Sequence, residues 1–138
     1  MNTLVEIEAE VDRLAYKIGA CGSVLPTYGY SEDLARPHIE VDSRGYHYVI
    51  IERGREEKRL TTQSIDELLY IIFDDVSFSL ATEYEFAHRV PGKDFRRLLF
   101  HYQVELMTIL SKQWAERLIN YHQQILQRYP FEDNRKIR

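Results

Sequence analysis

The chain has 138 residues, enough for one domain with its own core, and 44% hydrophobic with 29% charged residues marks it as globular rather than disordered. Its 18 basic against 22 acidic side chains, a net charge of −4, argue against a nucleic-acid binder, which needs a positive excess. One cysteine, Cys21, excludes an intrachain disulfide framework and fits a reducing, cytoplasmic setting.

The first predicted element is a helix. Leu4, Ile7, Val11, Leu14 and Ile18 make an apolar seam, Thr3 with Glu6 reads as a capping box, and Gly19 and Gly22 end it. Residues 23–37 read as a long loop punctuated by Pro26, Gly29 and Pro37, and loops of that length are often functional. Three strands follow at 39–42, 46–51 and 57–62, joined by the turns Ser43-Arg44-Gly45 and Arg53-Gly54-Arg55. The middle one is aromatic and β-branched, as a central strand should be, and the last is charged enough to resist pairing with other chains.

Ser64 with Glu67 opens a helix that runs to about Val90, before Pro91-Gly92. Its apolar stripe runs through Ile65, Leu69, Ile72, Val76, Leu80, Ala87 and Val90, with Ile71 and Phe78 on the opposite side. Asp94 caps the next helix, whose seam is Phe95, Leu98, Leu99, Tyr102, Leu106, Ile109 and Leu110. The seam then jumps around the axis to Trp114, Leu118, Tyr121, Ile125 and Tyr129. That jump predicts two helices, 94–110 and 112–128, with a break at Ser111, and Pro130 closes the second. The expected fold is a single α+β domain over 1–138: an N-terminal helix, a three-stranded antiparallel meander, a helical hairpin and a final helix. Residues 134–138 read as a frayed tail.

Little in this inventory supports catalysis. The five histidines, His38, His47, His88, His101 and His122, lack metal-pair spacing, and Cys21 has no partner. No metal or cofactor is expected. Gly19-Ala20-Cys21-Gly22 follows a helix rather than a strand, so helix termination explains it better than a phosphate loop. No apolar run approaches the roughly 18 residues of a membrane span, and Met1-Asn2-Thr3 opens no signal peptide.

Glu83 lies at the centre of its helix's apolar stripe, where an unpaired carboxylate is costly. Arg96 and Arg97 sit in the first turn of a helix, where cations oppose the dipole. Antiparallel folding about Pro91-Gly92 would let Glu83 and Glu85 pair with Arg96, Arg97 or His101 in a structural ion-pair network. Over Ser64–Asp94, the acids Asp66, Glu67, Asp74, Asp75, Glu83, Glu85 and Asp94 outweigh Arg89 and Lys93; the residues alone favour a solvated face, though an acidic helix face could also steer a basic partner. Tyr28 and Tyr30 in the long loop suit a protein-binding surface, with a packed loop as the equal alternative.

The run Ser64–Arg89, with Asp94-Phe-Arg-Arg-Leu-Leu-Phe100, Trp114-Ala-Glu-Arg-Leu118 and Tyr129-Pro-Phe-Glu-Asp133, resembles the sixty-third family of bacterial polymorphic-toxin immunity proteins. The resemblance covers about residues 40–133. Relatives often have proline just after the serine at the break, where this chain has Lys112. The resemblance implies a non-catalytic cytoplasmic protein that binds and neutralises the C-terminal domain of a cognate toxin by occluding its active or substrate-binding site. A nuclease with a basic cleft would suit an acidic inhibitor. Motif residues shared across such a family are expected to form the fold, because toxin surfaces diverge. The expected interface is therefore Tyr28 and Tyr30 with Asp74 and Asp75. The alternatives are a scaffolding module with an acidic helix face and, more remotely, a small hydrolase with a carboxylate–histidine site.

Overall fold

The computed structural model describes residues 1–134. The chain divides into two compact units, Met1–Val76 and Ser77–Arg138.

The first unit opens with α1 (Leu4–Lys17). Both halves of the predicted capping box form, Thr3 Oγ1 accepting from the Glu6 N–H and the Glu6 carboxylate from the Thr3 N–H. Ile7, Val11, Leu14 and Ala15 are buried, and Leu4 and Ile18 are half-buried at the ends of the seam. The sheet has the order β1-β2-β3-β4: β1 (Thr27–Tyr28), β2 (His38–Asp42), β3 (Gly45–Glu52) and β4 (Arg55–Thr62).

The expected three-stranded meander is thus a four-stranded sheet. The antiparallel β2-β3-β4 part forms as expected. The addition is β1, which pairs parallel to β2 through Thr27 N–H to Pro37 O and Gly29 N–H to Ile39 O, at 2.9 and 2.8 Å. The stretch read as a loop is stitched down further along, where Ala35 N–H bonds Ile51 O and Asp33 Oδ1 accepts the Gly54 N–H. A two-residue strand has no period to detect, so its pairing is invisible in sequence.

β3 is central, with Tyr46, His47, Tyr48 and Val49 buried on both faces. Arg53 and Gly54 both take positive φ, as the tight β3–β4 turn requires. At the β2–β3 turn a Cβ on Gly45 would come 2.5 Å from Thr62 O, so only glycine fits. Pairing across the strands places Tyr28, Ile39, Tyr48 and Leu60 in one row on one face. Thr27, His38, Val49 and Arg59 form the matching row on the other.

Helix α2 (Ile65–Ala87) starts where Ser64 Oγ accepts the Glu67 N–H, and the unit boundary falls inside it. The second unit continues with α3 (Phe95–Leu110), capped by Asp94, and α4 (Lys112–Arg128). Ser111 stands between these two in an extended conformation, and its hydroxyl accepts the Trp114 N–H, so the predicted break is a fresh helix start. Helices α3 and α4 lie against each other, burying Leu99, Gln103, Leu106 and Met107 from one and Trp114, Ala115, Leu118 and His122 from the other. His122 takes the buried place expected of Tyr121, which is exposed. Phe95 and Ile109 of the predicted α3 seam are exposed as well. Of the tail expected to fray, only Asn134 lies within the described residues, and its N–H bonds Gly92 O at 2.7 Å.

Candidate functional site

The predicted partner-binding residues all lie in the first unit, Tyr28 and Tyr30 on and just past β1, Asp74 and Asp75 on α2. Tyr28 occupies β1, and its hydroxyl is buried without a hydrogen-bond partner among the described residues. Burial first, then the charges of Asp12 and Glu8, push its phenol above the ordinary range, with Arg36 opposing. In the same cross-sheet row, the Tyr48 hydroxyl donates a hydrogen bond to Asp75. Burial raises the Asp75 carboxyl, against the pull of that bond and of Lys58. Asp74 is half-buried nearby and also acts on the Tyr48 phenol. The two aspartates are therefore not the free surface charges expected.

Tyr30 is exposed (62%), beside edge strand β1, where Thr27 Oγ1 donates to its carbonyl at 2.6 Å. Sequence reasoning missed Glu8 and Asp12, exposed on α1 and close enough to act on Tyr28. Their i, i+4 spacing, along the flank of the apolar seam of α1, was the available signal. Tyr16 and Val5 are exposed further round that flank. Together these groups make an acidic, aromatic surface at the β1 edge.

The opposite face of the sheet carries two buried histidines. His38 Nε2 bonds Glu40 at 2.7 Å, and Arg59 reaches the same carboxylate at 3.1 Å. His47 lies between Asp42 Oδ1, 2.7 Å from Nε2, and Thr61 Oγ1, 2.8 Å from Nδ1. The order hydroxyl, imidazole, carboxylate is that of a nucleophilic relay, but such a relay works with its carboxylate buried. The Asp42 side chain is 51% exposed, and the three groups tie β2, β3 and β4 together instead. The histidine bonds are the main cause that lowers the Glu40 and Asp42 carboxyls. Among the described residues no group of three or more His, Cys, Asp and Glu side chains could hold a metal ion.

In the second unit the expected ion-pair network takes a different form. Glu83 is exposed, whereas Glu85 is buried (3%) and accepts two hydrogen bonds from Arg89, at 2.9 and 3.1 Å. The reason is helix phase. The buried residues Ser77, Ala81 and Glu85 step by four, and each such step advances ~40° around the axis. Averaged over all of α2 the stripe points at Glu83; the local drift carries burial to Glu85.

Arg96 and Arg97 turn instead to the chain that follows α4. Arg96 pairs with Asp94 at 2.8 Å and donates to the carbonyls of Tyr129 and Pro130. Arg97 grips Asp133 with two 3.0 Å bonds and lies over the Phe131 ring. The resemblance motifs Asp94–Phe100 and Tyr129–Asp133 are thus two halves of one fastening. Deeper in this unit, His122 Nε2 contacts Gln103 Oε1 at 3.1 Å, and Gln103 Nε2 donates to Ser77 Oγ at 3.2 Å.

The family model described as immunity protein 63 matches residues 42–124, from the end of β2 into α4. No curated protein and no solved structure matches the chain. Glu8, Asp12, Tyr28 and Tyr30 lie outside the matched stretch; Asp74 and Asp75 lie inside it.

Proposed function

Because the chain belongs to the immunity protein 63 family, we propose that it binds the C-terminal domain of a cognate toxin in the cytoplasm and blocks that domain's active or substrate-binding site. An immunity protein is not an enzyme, so inhibition rests on surface complementarity alone. Among the described residues no helix is long and apolar enough to cross a membrane.

Family membership is the observation that carries this reading, and the charge distribution supports its finer part. Met1–Val76 holds 15 acidic against 8 basic side chains, so its field attracts a basic partner such as a nuclease cleft. Glu8 and Asp12 are exposed, and Asp74 and Asp75, half-buried, add to the same unit's negative charge. Tyr30 offers an accessible aromatic anchor, and Tyr28 a hydroxyl with an unused hydrogen bond. An interface outside the matched stretch also suits a family whose members face different toxins.

Rim charges act on association rate, and buried anchors on dissociation. Binding kinetics with a cognate toxin domain, measured across salt concentrations, test the assignment. Glu8→Gln with Asp12→Asn should slow association at low salt and flatten its salt dependence. Asp74→Asn with Asp75→Asn should do so more weakly. Tyr30→Ala should speed dissociation, costing ~2 kcal/mol if it is a hot spot. Wild-type kinetics in every variant would move the interface elsewhere.

A further inference from the structure

The far edge of the sheet is β4, and residues 55–61 along it are all exposed. An edge strand offers unpaired backbone N–H and C=O groups to any extended chain, so its side chains decide what is admitted. Four of them carry an unusual order: Glu56-Glu57-Lys58-Arg59.

A register shift between Ile50 and Ile51 decides how these charges face. Glu56 lies opposite Ile51 and Lys58 opposite Ile50, leaving Glu57 as the extra residue of a bulge. Arg59 lies opposite Val49, which shares a face with Ile51, so Glu56 and Arg59 stand on one side and bond at 2.7 Å. Lys58 is on the other side, where its charge acts on Asp75, and Glu57, the bulged residue beside it, is left without a partner on β3.

Read backwards, this string is its own complement. If a second copy is laid antiparallel, Glu56 meets Arg59 of the second copy on one face, and Glu57 meets Lys58 in the neighbouring pair. The two-fold axis repeats both pairs, so all four charges are matched. A slip of one residue sets Lys58 on Lys58 or Glu57 on Glu57. Parallel in-register pairing sets like on like throughout. The charges that turn away other strands thus admit one partner in one register. We infer that two copies of this chain pair edge to edge through β4, joining their sheets into one of eight strands. The order is then β1-β2-β3-β4 followed by its mirror sequence, with both β1 edges at the far ends. The dimer stands independently of the toxin assignment; if both hold, each β1 edge stays free and binding is two to two.

Sedimentation velocity over a concentration series tests the pairing with two charge variants. Lys58→Glu with Arg59→Glu makes the string wholly acidic, and Glu56→Lys with Glu57→Lys makes it wholly basic. Wild type should pass from monomer to dimer with rising concentration, and each variant alone should lose the dimer. An equimolar mixture of the two should regain it, because acid then faces base at every position. Recovery on mixing also rules out misfolding as the cause of the loss. A wild type that stays monomeric throughout, a variant that dimerises as well as wild type, or a mixture that stays monomeric would each overturn the inference.

Discussion

Asp94 and Asp133 fasten each other's segments. Asp133 Oδ1 accepts the Asp94 N–H at 2.9 Å, and Asp94 Oδ2 accepts the N–H of Glu132, beside Asp133, also at 2.9 Å. The exchange resolves the oddity of two arginines in the first turn of α3. Asp94 supplies the negative charge the helix start favours, and Arg96 and Arg97 carry the return chain.

Asp94→Ala removes a helix cap and one side of this exchange, so it should lower stability by about 1–2 kcal/mol. Asp133→Ala should lower the Tm as well, by freeing Arg97 and the Asp94 N–H. The Arg96 guanidinium, with the Glu132 and Arg96 N–H groups, holds the Asp94 carboxyl well below the usual carboxylate range. A carboxyl depressed by folding stabilises at pH above its unfolded value and loses that contribution as pH falls towards the folded one. Thermal melts at acid pH should therefore converge for wild type and Asp94→Ala.

Burial on α2 predicts a contrast between neighbours. Glu83→Ala should change stability by less than about 0.5 kcal/mol, as exposed substitutions do. Arg89→Ala should lower the Tm more, because it strands the buried Glu85 carboxylate without its two hydrogen bonds. Urea denaturation of the two variants ranks them directly.

His122 gives a separate pH signature. Burial pushes it from its ordinary 6.5 down to about 4, so the folded protein keeps it neutral. Between those values the unfolded chain binds a proton that the folded chain does not. Stability therefore falls as the pH is lowered through that window, by at most ~1.4 kcal/mol per pH unit from this group. His122→Gln should flatten the slope, as measured by denaturant melts across the window.

Asp75 is held at a cost to the fold, since burial disfavours its charge. Asp75→Asn keeps an acceptor for the Tyr48 hydroxyl and removes that cost. The variant should melt at or above the wild-type temperature at neutral pH, by calorimetry, while losing part of the attraction to a basic partner.

Local chemistry was legible in the sequence. Thr3, Asp94 and Ser111 act as caps where their spacing predicted, because a cap needs only the next two or three residues. Non-local pairing was not. The partner of Arg97 lies 36 residues away at Asp133, and the parallel partner of Thr27 is set by the path of the whole intervening chain. Glu83 was misplaced because a stripe averaged over all of α2 hides the drift of its second half. In the candidate surface, Tyr30 stood out as an aromatic between glycine and serine. Glu8 and Asp12 were overlooked because α1 drew notice for its apolar face, and the two acids only flank it.

Cell survival on co-expression tests the central claim most directly. A cognate toxin domain, sought immediately upstream of this chain's gene, should kill when induced alone, and co-induction of this chain should restore growth. Restoration should weaken when Glu8, Asp12 and Tyr30 are replaced together in a variant that melts like wild type. Continued killing in the presence of folded wild-type protein would contradict the account.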